Sequence, residues 1–160
     1  MTTFKRLLSL FLLAFLLLGW SSPVPAADLT ITAASVAPST GAQTVNGTAG
    51  ATITQGQPVY LDSTTSTYKL SDNNLSGAKS CSGIALNAAS SGQPLTIQTG
   101  GAINLGATLT VGKIYVVSAT AGAIAPSADL ATGNDVIILG VATSSSIMQM
   151  QIFAPGATVP

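Results

Sequence analysis

The sequence predicts an all-β fold, a small β-sandwich or barrel of short strands with an extended N-terminal segment. Large apolar residues in the stretch 92–139 recur two positions apart, which is the period of a half-buried strand. Gly, Pro, Asn and Ser clusters separate these pairs, and glycine supplies dihedral angles that turns need. No part of the stretch shows a sustained helical period. The predicted strand pairs are Leu95/Ile97, Ile103/Leu105, Leu109/Val111 and Tyr115/Val117, and the predicted turns are at 99–101, 106–107, 112–113 and 120–122.

Residues 1–26 have the features of a Sec-type signal peptide. One lysine and one arginine precede an apolar run of 14 residues, 7–20, and small residues follow it. Val24 and Ala26 occupy the −3 and −1 positions for cleavage before Ala27. The alternative is an uncleaved hydrophobic anchor, but a membrane-spanning helix needs about 20 apolar residues. We therefore expect cleavage, which leaves three lysines, five aspartates and a net charge of minus two.

Residues 27–55 are predicted to form an extended arm or linker ahead of an all-β domain at 56–160. They are rich in Ala, Thr and Gly, and their large apolar residues are too few to build a core of their own. Short, loosely held strands are predicted at 29–31 and 52–54. The Asn-Gly-Thr sequence at 46–48 is formally a glycosylation site, but we interpret its Asn-Gly step as a turn.

Several strands are predicted within the domain. Pro58 and Pro94 each follow Gly-Gln and precede β-forming residues, and proline is tolerated at the first position of a strand. The continuous apolar run at 135–142 predicts a central strand covered on both faces. Residues 71–80 are predicted to form a loop or one helical turn. Further strands are predicted at 68–70, 82–86 and 147–153.

The ionisable residues form no catalytic or metal-binding pattern, so the sequence predicts a protein that is not an enzyme and uses no cofactor or metal. The chain has no histidine, the commonest general base, and its acidic residues are five scattered aspartates. A serine nucleophile needs a base, and the Lys79-Ser80 pair is a weak candidate. Four aspartates are interpreted as turn caps, namely Asp62, Asp72, Asp129 and Asp135.

Two further groups of side chains have alternative interpretations. The single cysteine, Cys81, is either a partner in an intermolecular disulfide or, as we prefer, a small buried apolar residue before a strand. Tyr60, Tyr68 and Tyr115 are either a binding patch or ordinary aromatic residues of strands that pair across the sheet.

Four segments between residues 56 and 152 are rich in glycine and apolar residues, and together they form a pattern. They are Val-Tyr-Leu at 59–61, Gly-Ile-Ala-Leu at 83–86, Tyr-Val-Val-Ser-x-Thr-x-Gly-x-Ile-Ala-Pro at 115–126 and Leu-Gly-Val-Ala at 139–142. This pattern resembles the small head-decoration, or capsid-cement, proteins of tailed bacteriophages. The resemblance implies a β-rich module that binds the outer capsid surface, often as a trimer, and stabilises the shell without catalysis.

The signal peptide departs from that family, because capsid proteins assemble in the cytoplasm. Three explanations stay open: a mis-set start codon, a phage-like domain recruited by a host for export, or a virion protein with a hydrophobic N-terminal arm. Each explanation assigns a different location to the same β domain.

We expect a non-catalytic virion structural protein whose partner is the major capsid protein or further copies of itself. The alternative is a secreted bacterial surface or matrix protein that self-associates through exposed strand edges. Only 6% of residues are charged and the formal net charge is zero, so no basic surface is available for nucleic acid. Residues 28–55 are the predicted contact region. The expected location is the capsid surface or, if export occurs, the extracellular space.

Overall fold

The computed structural model describes residues 27–160, and the predicted signal peptide at 1–26 and its cleavage lie outside this range. The described chain is built from antiparallel β-strands that form one curled sheet with the shape of a half-barrel, which confirms the all-β prediction. Two short 3-10 helices span Ala33–Ser35 and Ser127–Asp129. The strands are β1 Val36–Pro38, β2 Gln43–Thr48, β3 Pro58–Asp62, β4 Thr67–Leu70, β5 Gly83–Ala85, β6 Pro94–Leu105, β7 Ile114–Val117, β8 Ile124–Pro126, β9 Ile138–Ala142 and β10 Ile147–Phe153.

The long strand β6 connects the two halves of this sheet. As far as Gly100 it pairs with β2 and β5, and from Gly101 onward it pairs with β1 and β10. The strand order is β4-β3-β5-β6-β10-β9-β7-β8, with β1 and β2 alongside β6. We call β2, β3, β4 and β5 the first half and β1, β7, β8, β9 and β10 the second half. Strand β6 belongs to both.

A β-bulge bends β6 between its two parts. Gln43 of β2 lies opposite Gly100, but Thr44 lies opposite Gln98, so Thr99 has no opposite residue. Gly101 follows with a φ of +81°, in the left-handed region that glycine adopts without strain. The prediction of a turn at 99–101 is therefore wrong. The glycines mark a bend within one continuous strand, because hydrogen bonding to different neighbours continues on both sides of it.

The buried side chain of Gln98 supports the bend from inside. Its Nε2 atom donates hydrogen bonds to the carbonyl oxygens of Gly100, at 3.0 Å, and Ala102, at 2.9 Å. Carbonyl groups at a bulge are displaced from the regular ladder, and a buried carbonyl without a partner would destabilise the fold. The carbonyl oxygen of Ala102 also accepts a hydrogen bond from the backbone N–H of Ser39 at 2.9 Å, so Gln98 adds a second donor there and ties it to Gly100.

Each half has its own hydrophobic core, and β6 contributes to both. In β5, Ile84 points into the second core and Ala85 into the first, because successive strand residues face opposite sides. The first core consists of Ala49, Ile53, Val59, Ala85, Ala89, Leu95 and Ile97. The second core consists of Val36, Ile84, Ile103, Leu105, Leu109, Tyr115, Val117, Ile124, Ile137, Leu139, Ala142, Met148 and Met150.

The segment 27–55 differs from the predicted arm because it is incorporated into the sheet. Its strands β1 and β2 both pair with β6. Val36 is buried in the second core, and Ala49 and Ile53 are buried in the first. The few apolar residues of this segment cannot form a core by themselves, but they complete cores that later residues build. The Asn-Gly step predicted as a turn lies within β2, so that prediction is wrong.

Other sequence predictions met mixed outcomes. Pro58 and Pro94 begin strands, the strand predicted at 82–86 is the buried β5, and that at 147–153 is β10. Residues 71–80 form a loop. The predicted strand pair Leu109/Val111 is wrong, because both residues lie in a loop without strand pairing. Leu109 is buried and Val111 is exposed. The stretch 29–31 is not a strand, and 52–54 contains only an isolated bridge from Ile53 to Ala89.

The apolar run at 135–142 was predicted to be a central strand covered on both faces. Strand β9 does lie between β10 and β7, so its central position is confirmed, although it begins only at Ile138. The predicted coverage of both faces is wrong. The adjacent residues Val141 and Ala142 face opposite sides of the strand, and Ala142 is buried whereas Val141 is 39% exposed. Within residues 27–160, no helix has the length and apolar character that crossing a membrane requires.

Replacing Gly101 by alanine should destabilise the fold more than replacing Gly133. Both glycines have a positive φ, +81° and +86°, but a Cβ on Gly101 would collide with the backbone of Gly41 and Ala42, whereas no described atom lies within 4 Å of one on Gly133. The left-handed conformation alone costs a residue with a side chain about 1–2 kcal/mol. We expect Gly133→Ala to lower the free energy of unfolding in urea by about that amount, and Gly101→Ala to lower it clearly further. Equal losses of unfolding free energy in the two variants would contradict the importance of the close backbone contact at the bend.

Candidate interaction surface

Two aspartates cap turns as the sequence predicts. The Oδ1 atom of Asp62 accepts a hydrogen bond from the backbone N–H of Thr64 at 2.8 Å, and its Oδ2 lies 2.6 Å from Nζ of Lys69. The hydrogen bond from Lys69 is the main reason why the pKa of Asp62 is lowered to about 2. The Oδ1 atom of Asp72 accepts hydrogen bonds from the backbone N–H groups of Asn74, at 2.8 Å, and Leu75, at 3.1 Å. These carboxylates stabilise local structure.

The other two aspartates do not cap turns. Asp135 Oδ1 lies 3.0 Å from Nζ of Lys79 and accepts a hydrogen bond from Oγ1 of Thr158 at 3.1 Å. Both carboxylate oxygens of Asp129 are buried and have no hydrogen-bond partner among residues 27–160. The turn-cap interpretation is therefore wrong for both. Because the ammonium group of Lys79 contacts Asp135, the Lys79-Ser80 pair is not arranged as a base and its nucleophile.

The side chain of Cys81 packs against the second core. It is partly buried there, and Sγ donates a weak hydrogen bond to the carbonyl oxygen of Gly83 at 3.5 Å. Burial raises the pKa of the thiol to about 11. Since the thiolate is the species that exchanges with disulfides, this environment favours the apolar interpretation of Cys81 over an intermolecular disulfide.

The three tyrosines do not form one patch. Tyr60 and Tyr68 lie on the paired strands β3 and β4 of the first half. Tyr115 is buried in the second core, where its hydroxyl accepts a hydrogen bond from the backbone N–H of Thr110 at 2.9 Å. The ring of Tyr68 lies where a side chain on Gly47 would be, which explains glycine at that position of β2. All three tyrosines are strand residues, as the second interpretation holds, but its cross-strand aromatic pairing is wrong for the described pairs. Tyr60 lies opposite Lys69, Tyr68 opposite Leu61, and Tyr115 opposite Pro126 and Gly140.

The second half exposes a group of large apolar side chains that we call the apolar face. It consists of Val111, Ile114 and Val141, which are 63%, 39% and 39% exposed. Ile114 of β7 lies directly opposite Val141 of β9. The turn that carries Val111 is joined to the end of β9, because the backbone N–H of Gly112 donates to the carbonyl oxygen of Ala142 at 2.8 Å. Sequence analysis missed Val141 because its continuous apolar run masked the alternation between buried and exposed positions.

The charge around the apolar face is low. Of the three lysines in the described part of the chain, Lys69 and Lys79 form ion pairs with aspartates, whereas Lys113 forms none. Lys113 lies between Val111 and Ile114 in sequence and is exposed. A cross-strand apolar pair with one nearby cation can bury against another protein without the cost of removing many charges from water.

The predicted contact region, 28–55, contributes a different surface. All residues of β2 are exposed except Gly47, which is partly buried, and β2 includes one large apolar residue, Val45. Ala49 forms a bridge with Tyr68, which brings the end of β2 beside β4. Strand β2 is therefore an exposed and mainly polar part of this region, whereas the apolar face lies on β7, β9 and the turn that carries Val111.

Within residues 27–160, no group of three or more Asp, Cys, Glu or His side chains is positioned to hold a metal ion. The chain matches no protein-family model and no curated protein.

Cys81 should react with iodoacetamide about a hundredfold more slowly in the folded protein at pH 8 than in the same protein unfolded in urea. The reason is the raised pKa of the buried thiol, about 11, which leaves little thiolate at that pH. Mass spectrometry of samples taken over time measures both rates. Similar rates in the two states, or a disulfide-linked dimer on a non-reducing gel, would contradict the buried apolar role.

Proposed function

We propose that this chain is a non-catalytic structural protein that decorates the head of a tailed bacteriophage, binding the capsid surface and stabilising the shell. The observation that carries the proposal is the apolar face, in which Ile114 and Val141 are an exposed cross-strand pair and Val111 is exposed in the turn joined to the end of β9. Exposed large aliphatic side chains in such an arrangement favour burial against a partner protein. The paired strands β7 and β9 hold Ile114 and Val141 in fixed positions for that contact.

The resemblance described above implies that the partner is a capsid protein. Two of its four segments, 115–126 and 139–142, include β8 and most of β7 and β9, so they contain Val141 and border Ile114. A capsid presents many identical sites, and a decoration protein that occupies them as a homo-oligomer, such as a trimer, gains avidity from its several contacts.

The composition of the chain supports a role on a crowded, ordered surface. Only 6% of its residues are charged, and the ionisable pairs Asp62–Lys69 and Lys79–Asp135 are satisfied within the chain. A surface with few charges has little electrostatic repulsion to prevent close approach to a neighbouring protein. Stabilisation of the shell then follows by mass action, because the decoration protein binds only the assembled state.

A second function is favoured by residues 1–26, whose sequence is typical of an exported protein. In that case the same apolar face joins copies of this chain to one another outside the cell, as a surface or matrix protein. The partner is then a second copy of the chain rather than a capsid protein, and the protein is found in the medium or at the cell surface.

Val141→Lys should weaken binding to expanded phage heads that were assembled without this protein. A buried lysine would remove apolar contact and would lie opposite Ile114, close to Lys113, so we expect at least a tenfold loss of affinity. The melting temperature of the free protein should change by no more than about 2 °C, since Val141 is partly exposed. Co-sedimentation with heads at micromolar concentration measures the binding.

Leu61→Lys is the matched control, because Leu61 is also an exposed strand residue, 48% accessible, but belongs to the first half. It should leave binding unchanged. Heads that do not bind the unaltered protein, or that bind both variants equally well, would overturn the proposal. Recovery from the medium of a self-associated protein that Val141→Lys dissociates would support the second function instead.

A further inference from the structure

A cavity of about 480 Å³ in the second half brings the first described residues close to Asp129. Its lining includes Ala27, Asp28 and Asn73 as well as the 3-10 helix residue Asp129. The backbone N–H of Leu29 donates to the carbonyl oxygen of Ile124 in β8 at 2.7 Å. Ala27 is two residues from this anchor, so its nitrogen lies within about 7 Å of chain from it. The start of the described chain is thus held at the cavity.

Among residues 27–160, Asp129 has no counter-charge in this cavity. Both of its carboxylate oxygens are buried without a hydrogen-bond partner among the described residues. Burial raises the pKa of Asp129, and the negative charge of Asp28 raises it further. In the described part of the chain, Asp28 and Asp129 are the ionisable side chains that line the cavity, and no lysine or arginine lines it. A buried carboxylate in such a position is unfavourable unless a cation or donors reach it.

A second acceptor in the same lining also lacks a donor. Asn73 is 2% exposed, and its Nδ2 donates to the carbonyl oxygen of Val117 at 2.8 Å. Its Oδ1 atom is buried and has no partner within residues 27–160. The cavity therefore contains two unsatisfied acceptor groups, a carboxylate and an amide oxygen, and both require N–H donors.

The sequence supplies one group that meets this need. Val24 and Ala26 form a small-residue cleavage signal, and hydrolysis of the peptide bond between Ala26 and Ala27 would create a new amino terminus at the cavity. In that step, a signal peptidase adds one water across the bond. The carboxylate leaves with Ala26, and Ala27 keeps the amino group, which is protonated at neutral pH.

We infer that the mature chain begins at Ala27 and that its new α-ammonium group is the missing partner of Asp129, with Asn73 Oδ1 as a second acceptor. Processing thereby satisfies these acceptors, because the ammonium group provides three N–H donors and a positive charge to two groups that have neither among residues 27–160. The inference goes beyond the proposed function, and because it requires export it accords with the second function, in which copies of this chain associate outside the cell.

The pairing has a defined pH dependence. The groups that face the α-ammonium are Asp129 and Asp28, and both favour its charged form, so its pKa in the folded protein lies above the ordinary value of about 7.7–8.0. A group whose pKa is raised by folding contributes stability below its unfolded pKa and loses that contribution as the pH rises through the folded value. The stabilisation is therefore present at pH 7 and disappears in more alkaline solution.

The test begins with expression of the full chain, leader included, in an exporting bacterium and an intact-mass measurement of the purified product. The expected mass is that of a chain starting at Ala27. A second form carries one glycine inserted between Ala26 and Ala27, which moves the amino group by about 3.5 Å. We expect this insertion to lower the melting temperature at pH 7 by about 5 °C. At pH 10.5 the two forms should have the same melting temperature.

Asp129→Asn tests the identity of the partner. In that variant the glycine insertion should have no further effect, and the pKa of the α-amino group, followed by NMR, should fall by about one unit or more. Asp28→Asn is the matched control, because it removes the neighbouring carboxylate and should preserve the effect of the insertion.

Several results would overturn the inference. One is a mature chain that starts at another residue or keeps its leader. Others are equal melting temperatures with and without the inserted glycine at pH 7, or an insertion effect that persists in Asp129→Asn. None of these measurements involves binding to phage heads, so failure of the inference leaves the proposed function to its own test, whereas a mature chain that starts at Ala27 favours the second, exported function.

Discussion

The bend in β6 is the constraint on which the rest of this structure depends. One strand has to complete two sheet halves and two cores, so it must change direction without losing its hydrogen-bonded neighbours. The bulge at Thr99 and the left-handed Gly101 provide the change of direction. Gln98 supplies donors to the displaced carbonyl groups. Any side chain at Gly101 would push away the turn between β1 and β2 and so disturb both halves at once.

Polar side chains in this protein mostly satisfy its own backbone and one another, and this distribution determines which surfaces are available to partners. Asp62, Asp72 and Asp135 are all hydrogen-bonded to nearby groups. Asp129 differs because its carboxylate is buried without such a partner in the described residues. The hydrogen-bonded aspartates stabilise the scaffold, and the apolar face is suited to binding a partner. The unpaired carboxylate of Asp129 is where we place a further donor.

Strand periodicity could be predicted from the sequence, but the continuity and pairing of the strands could not. The pairs Leu95/Ile97 and Ile103/Leu105 were correctly assigned to strands, because alternation reports local burial. Their union into one strand was missed, since a Gly-Gly step has the same composition in a turn and in a bulge. Leu109 illustrates the opposite error: it is buried by the fold around it without any strand pairing. The unpaired carboxylate of Asp129 had no sequence signal, because its surroundings come from distant segments.

The positions of the two cores along the chain set the order in which they can form during synthesis. The first core uses residues between Ala49 and Ile97, whereas the second needs both Val36 and Met150. The first half can therefore collapse early, while the non-local pairing of Val36 with Leu105 forms slowly because a long loop must close. Until β10 emerges, apolar strand edges of the second half are exposed to aggregation and proteolysis. The emergence of β10 during synthesis therefore ends the period in which these strand edges are exposed.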